Sequence, residues 1–467
     1  MTTVKEVMES RSVAVIGASQ DPEKPGALVL KVLKDTGFQG QVAGVNPRGG
    51  EVHGTPLYRS LDEIPFSVDL AVLIIPPKAV PASLSECASK GVKGVVISSE
   101  GFAETGEEGR QYQEEVRTIL RSTGMRGFGP NTMGIVNTAT GLTTGYFGNK
   151  HMLQPGSIGF ASQSGIFLGA LMRYLTSFEP FRISKVLGLG NKADVDETDA
   201  LGYLIEDEQT RIVGMYLEDV RDGRQFLNVA RKGVAQKPVL LLKGGRTPQG
   251  SRATASHTAS LAVDDAVLDG ALRQAGVLRM ADMDELVSTI MGFQCMPLPK
   301  GERLAFVTYS GAQAIMSMDA AADEGLQMAR FSKEAQQRIA SVIASPSKAQ
   351  NPVDVFPDMM AHGFEKTGTE ILHALMEDDG VHGIVFISFA IYGPDPYRPL
   401  VEVIRNRLTK PIFFALLGDK GKVADCREFM EQNEIPFYTF PEMAVRVFAH
   451  MWRYARTLKQ ARGRRPS

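Results

Sequence analysis

Short apolar runs recur along the chain, and most close on Gly, Pro or Ser. The first is Ser12 to Ile16, which ends in Gly17-Ala18-Ser19. A helical pattern follows from about Pro25 to Lys34, and Gly37 suits its C-terminal cap. The next runs are Gln41 to Val45, Asp69 to Ile75 and Gly94 to Ile97. None alternates strictly, and helical patterns separate them. That combination predicts parallel strands covered on both faces. Residues 1–128 therefore read as a Rossmann-type, doubly wound α/β domain.

A second unit, 129–298, places strands at Ser157 to Ala161, Ser184 to Leu187, Arg211 to Leu217 and Pro238 to Leu242. The Pro-rich stretch 296–302 leads into a third, 299–467, with strands at Leu304 to Thr308, Gly383 to Phe389 and Pro411 to Leu416. The two units echo each other. SIGFASQSGIFLGALM (157–172) aligns with RLAFVTYSGAQAIMSM (303–318), and KPVLLLKGG (237–245) with KPIFFALLG (410–418). The shared order of strand, Ser-Gly turn, helix and later Lys-Pro strand points to a duplicated flavodoxin-like module.

Composition narrows the class. The 467 residues allow about three domains at ~150 residues each. Lys and Arg total 51 against 53 Asp and Glu, which argues against general nucleic-acid binding. A hydrophobic content of 43% argues against disorder. No apolar run approaches the ~18 residues of a membrane span, and MTTVKEVMES lacks a signal-peptide pattern. Cys87, Cys295 and Cys426 are scattered and form neither a disulfide framework nor a metal site. The expectation is a soluble protein of the reducing cytoplasm. The basic tail RYARTLKQARGRRPS reads as a solvated helix end without a role.

Candidate chemistry gathers at strand-to-helix turns. Gly17-Ala18-Ser19 can hold a phosphate on backbone N–H groups at a helix N-terminus, but Ser19 stands at the second Gly of G-x-G-x-x-G, which weighs against a nicotinamide dinucleotide. Asn46-Pro47-Arg48, Pro76-Pro77-Lys78 and Ser98-Ser99-Glu100 end neighbouring strands, where an open α/β sheet forms its ligand crevice. Ser164-Gly165 and Ser310-Gly311 are two matched turns able to present helix ends to one phosphate. His257 lies in a polar stretch, Gly244 to Ala262, expected to be a loop. With Arg246 and Arg252 nearby it is either a phosphate acceptor or a solvated histidine. Glu218 ends a strand of the same sheet and can orient an imidazole.

Taken together, these stretches resemble the α subunit of NDP-forming acyl-CoA synthetases, the ADP-forming acetate–CoA ligases of the succinyl-CoA synthetase superfamily. The resemblance rests on VAVIGAS (13–19), GVKGVVISSEGFAETGEEG (91–109), GPNTMGIVN (129–137), SQSG (162–165), LGNKADVDETD (189–199), YLEDVRDGRQF (216–226), RATASHTASLA (252–262) and NPVDV (351–355). It implies an acid–thiol ligase that interconverts acyl-CoA, ADP and phosphate with carboxylic acid, CoA and ATP. An acyl phosphate and a phosphohistidine are the implied intermediates. His257 is then the phosphorylated residue and Glu218 its supporting acid. Ser164, Gly165, Ser310 and Gly311 hold phosphate. CoA sits near Gly17, Ala18, Ser19, Asn46, Pro47, Arg48, Pro76, Ser99 and Glu100. ADP or ATP, with Mg, falls to a separate ATP-grasp β subunit in a hetero-oligomer. The sequence departs from the family at Thr132, where a Cys is usual, and at Tyr309 to Gln313, where the turn usually reads Asn-Ala-Gly-Gly-Pro-Gly. A non-catalytic CoA-binding regulator and a succinyl-CoA synthetase-like ligase for another acid stay open as alternatives.

Overall fold

The computed structural model describes residues 2–146, 148, 153–165, 169–178, 180–258, 264–356, 358 and 363–463, and of 255–258, 462 and 463 the backbone alone. It divides into two compact units, Met1–Ser177 with Phe181–Met280, and Phe178–Pro180 with Ala281–Ser467. Among the described residues, no helix is long and apolar enough to cross a membrane.

The first unit holds two seven-stranded sheets. One runs Gly50–Val52, Thr55–Tyr58, Gln41–Val45, Ser12–Ile16, Leu70–Leu73, Gly94–Ile97, Arg126–Phe128. All its neighbours are parallel except the terminal hairpin. The order reverses beside Ser12–Ile16, with the second strand on one side and Leu70–Leu73 on the other. That makes a topological switch point at the carboxyl ends of these strands. The central strands are buried along their length, which explains their unbroken apolar runs.

The other sheet runs Leu278–Met280, Val239–Lys243, Ile212–Leu217, Ile158–Ser162, Ile183–Gly188, Ile135–Asn137, Leu142–Thr143. Its last two strands are antiparallel additions. A seam of backbone bonds joins the two sheets: Ala193 donates to Gly129 O at 2.8 Å and Val195 to Gly127 O at 3.0 Å. Arg126 reinforces it with ion pairs to Asp194 and Asp199 at 2.8 and 2.6 Å.

The second unit is built on Gln327–Met328, Arg303–Thr308, Gly383–Phe389, Ile412–Leu417 and Phe437–Tyr438, all parallel, with Val353–Asp354 also paired to Arg303–Thr308. Helix Met283–Cys295 falls in this compact unit and packs on Pro441–Gly463. His450 Nε2 and Glu285 Oε1 meet across that contact at 2.7 Å. The tail is also less solvated than its charge implies: Tyr454 and Ala455 are buried, and Tyr454 meets Phe293 edge-on.

The sequence echo between modules has a structural counterpart. Lys237 Nζ donates to Leu204 O and Asp207 O at 3.0 and 2.5 Å, capping helix Glu197–Glu206. Lys410 Nζ donates to Leu375 O and Asp378 O at 3.0 and 2.7 Å, capping helix Phe364–Glu377. Each Lys-Pro pair thus starts a strand by placing a cation on the negative end of a helix. The Ser-Gly turns match as well. Ser164 N donates to Ser162 Oγ at 3.2 Å, and Ser310 N to Thr308 Oγ1 at 2.9 Å.

Candidate active site

Gly17 follows its strand at φ +91°, and a Cβ there would sit 2.2 Å from Ile74 O. Only glycine lets the turn close against the neighbouring strand end. Asn46 fixes the same region: its Nδ2 donates to Ala18 O at 2.6 Å and its Oδ1 accepts the Arg48 N–H at 2.9 Å. Ser19 Oγ accepts the Asp21 N–H at 3.0 Å. Ser99 Oγ donates to Ile75 O at 2.5 Å and accepts the Ile75 N–H at 3.2 Å. Asn46, Ser19 and Ser99 therefore shape the crevice. Pro47, Arg48, Pro76 and Glu100 are exposed around it, and Ala18 is buried beneath. Lys78, Pro76 and Gly101 border an adjoining depression of about 250 Å³.

Gln163 joins the Ser164-Gly165 turn to the end of Ile212–Leu217. Its Oε1 accepts the N–H of Glu218 at 2.8 Å and of Asp219 at 3.3 Å, while Nε2 donates to Asp219 Oδ1 at 2.6 Å. Behind it Lys192 Nζ contacts Asp219 Oδ1 at 2.5 Å and Glu197 Oε2 at 2.8 Å. Glu197 Oε1 accepts the Arg221 N–H at 2.6 Å. Lys192 and Glu197 are 2% and 0% exposed. Gln163, Lys192, Glu197 and Asp219 carry no separate role in the sequence reading, which quoted them only inside motifs.

The Glu218 carboxylate accepts from Tyr216 Oη at 3.4 Å. Burial, and then this carboxylate, push the Tyr216 phenol up to about 12, so it stays a donor. A Cβ on Gly244 would lie 3.5 Å from Glu218 Cγ, so the chain leading to His257 starts beside that acid. The expected loop is in large part a helix, Pro248–Thr258. Thr247 starts it, its Oγ1 accepting the Gly250 N–H at 3.0 Å, with Pro248 in the first turn. Its sequence carries no apolar stripe of helical period, so a periodicity reading misses it. The helix backbone runs beside the single turn Ala103–Thr105. The His257 side chain lies outside the described residues.

The helix expected directly after Gly165 is described over Ala170–Leu175, and 166–168 lie outside the described residues. In the second unit the helix does follow Ser310, as Gly311–Asp323. Ser310 Oγ accepts the Gln313 N–H at 3.4 Å, so this hydroxyl caps its own helix. The bulk of Tyr309 is taken up by an aromatic cluster. Its ring stacks on Phe364 at 5.5 Å, and Phe364 meets Tyr397 at 4.9 Å. Gly311 remains exposed at the turn. Among the described residues, no group of three or more His, Cys, Asp or Glu is arranged to hold a metal ion.

Comparison with known proteins agrees with this architecture. Residues 11–138 match the CoA binding domain family, and 155–293 the succinyl-CoA ligase like flavodoxin domain. The chain is 38% identical over 439 residues to the acetate–CoA ligase [ADP-forming] II subunit alpha of Pyrococcus furiosus, covering 92% of this chain and 93% of that one. It is 38% identical over 460 residues to acetate–CoA ligase [ADP-forming] II of Archaeoglobus fulgidus, covering 97% of this chain and 67% of that longer one. Among solved structures, the dinucleotide forming acetyl-coenzyme A synthetase 1 of Ca. Korarchaeum cryptofilum, in complex with phosphate and ADP, superposes with a TM-score of 0.91 at 29% identity, covering 100% of both chains. This chain belongs to the ADP-forming acetate–CoA ligase family, and it matches the subunit alpha of that family nearly end to end.

Proposed function

We propose that the chain is the catalytic α subunit of an ADP-forming acyl-CoA synthetase of the acetate–CoA ligase type, working in the cytoplasm with an ATP-grasp β subunit. The observation that carries this reading is the Gln163 bridge. It fixes the Glu218 strand end to the Ser164-Gly165 turn, beside the root of the helix that bears His257. In this reading residues 1–128 bind CoA around Gly17, Asn46, Arg48 and Pro76. Residues 129–298 carry His257 and Glu218, and the helix end at Ser310-Gly311 within 299–467 is a phosphate-binding turn.

Inorganic phosphate attacks the thioester carbonyl carbon. A C–O bond forms, the C–S bond breaks, and CoA leaves with a proton. Neutral imidazole of His257 then attacks phosphorus and the carboxylate departs. The Glu218 carboxylate stabilises the charged ring and sets its tautomer. Phosphohistidine finally gives its phosphoryl group to ADP on the β subunit, where Mg accompanies the nucleotide. A covalent relay divides transfer between two sites into two local steps.

The test is labelling. Incubation with acetyl-CoA and [32P]phosphate should yield acid-labile, base-stable phosphate on the wild type and none on His257→Ala. Equal labelling of the two removes His257 as the nucleophile. An unlabelled wild type that still binds CoA favours the non-catalytic alternative.

A further inference from the structure

The carboxylate of Glu104 is held at both oxygens by donors from separate parts of the first unit. Its Oε1 accepts the backbone N–H of Gly101 at 2.7 Å and of Phe102 at 3.1 Å. Its Oε2 accepts Asn191 Nδ2 at 2.6 Å. The same Nδ2 donates to Gln113 Oε1 at 2.9 Å, and the Asn191 N–H donates to Pro130 O at 2.9 Å. Burial disfavours the Glu104 charge, but the donors of Phe102, Asn191 and Gly101 outweigh it and hold the carboxyl below its ordinary range.

The two oxygens face different sites. On the Oε1 side, Gly101 turns at φ +98°, and a Cβ there would lie 2.9 Å from Pro77 Cγ. Gly101 and Thr105 border the depression that Pro76 and Lys78 also line, at the crevice proposed for CoA. On the Oε2 side, Asn191 precedes Lys192, whose ammonium contacts Asp219, and Asp219 meets Gln163 beside Glu218. The single turn Ala103–Thr105, which contains Glu104, also runs beside the backbone of the helix bearing His257. A carboxylate suits this post because both of its oxygens accept. A carboxamide would turn its N–H groups toward one set of donors.

We propose that Glu104 is a positioning residue for thioester cleavage, which by holding Gly101 and Asn191 together sets the CoA crevice against the phosphate turn. The inference rests on the acyl-CoA synthetase reading above. Attack of phosphate on the thioester carbonyl needs both sites in register. Phosphoryl transfer from an acyl phosphate to His257 needs only the second.

Two donors separate these demands. Acetyl-CoA with [32P]phosphate labels His257 only through thioester cleavage. Acetyl [32P]phosphate bypasses it, because the histidine attacks phosphorus. At saturation, Glu104→Gln should label about tenfold more slowly from acetyl-CoA, the scale of a misplaced reacting group, and within about threefold of wild type from acetyl phosphate. The KM for acetyl-CoA should stay within about threefold, the mark of lost alignment rather than lost binding. Adding Asn191→Asp to Glu104→Gln reverses the polarity of the bond at the same total charge. The introduced amide then donates to the introduced carboxylate, and Gln113 meets that carboxylate by turning its own amide over. This double variant should recover the acetyl-CoA rate to within about threefold of wild type. Unchanged labelling from acetyl-CoA, equal loss with both donors, a raised KM with the maximal rate kept, or no recovery in the double variant overturns the assignment. A wild type unlabelled by either donor removes the parent reading itself.

Discussion

Gln163 and Asp219 are joined by a 2.6 Å hydrogen bond from Nε2 to Oδ1, while the same carboxamide receives the backbone N–H of Glu218. One neutral side chain thus sets the spacing between the turn proposed to hold phosphate and the acid beside it. Gln163→Ala removes these bonds and the one from the Asp219 N–H without unpairing a charge, because Asp219 keeps Lys192. The expected result is phosphohistidine formation about tenfold slower, the scale of a displaced catalytic group, with CoA affinity intact. Unchanged labelling would show that the turn and Glu218 hold their places without this bridge.

Lys192 is a different kind of support. Its single buried ammonium bridges Glu197 and Asp219, and it does so from a left-handed backbone at φ +55°. Lys192→Met removes the ammonium that both carboxylates contact and leaves them only the charges of Arg221 and Lys243, which lie near them without direct ion pairing. Breaking a buried pair in this way costs about 3–5 kcal/mol. The unfolding midpoint of the first unit should therefore fall sharply, measured by circular dichroism. If it holds, the network is not a stability element.

Legibility followed burial. Strands such as Gly383–Phe389 and Ser12–Ile16 are covered on both faces, so their apolar runs were readable within a residue or so. The hairpin strands Ile135–Asn137 and Leu142–Thr143 are too short to carry any period. Helix Pro248–Thr258 was read as loop because no apolar face marks it, although Thr247-Pro248 was a start signal in plain view. At the candidate site, Gly17, Asn46 and Glu218 each follow the last residue of a strand, as the sequence placed them. The network behind them was not legible, since Gln163, Lys192 and Asp219 meet only through packing across the sheet. Nor does a Ser98-Ser99 pair reveal which hydroxyl is engaged, because that depends on the approach of Ile75 from the next strand.

Ser19 tests the CoA crevice. Its hydroxyl caps only the local turn, so the fold does not depend on it heavily. Ser19→Glu places a carboxylate at the helix end proposed to hold an anionic ligand. CoA affinity should fall about tenfold or more at low salt, by calorimetry, with recovery as salt screens the repulsion. Unchanged CoA affinity would move the site away from this turn.

The second unit offers a pH test read through Trp452, the single tryptophan of the chain. His382 Nδ1 accepts the Arg303 N–H at 3.1 Å. Burial, and then the positive charges of Arg303 and Lys410, hold the imidazole below its ordinary 6.5. The unfolded state then binds the proton more readily than the folded one. Its contribution to stability is present above about pH 6.5 and declines as pH falls below that value. His382→Asn keeps an acceptor for Arg303 but cannot be protonated. Between pH 7 and 5 the tryptophan-detected unfolding midpoint should drop more in the wild type than in this variant. Parallel curves would show that His382 is as easily protonated folded as unfolded, against the charge arrangement around it.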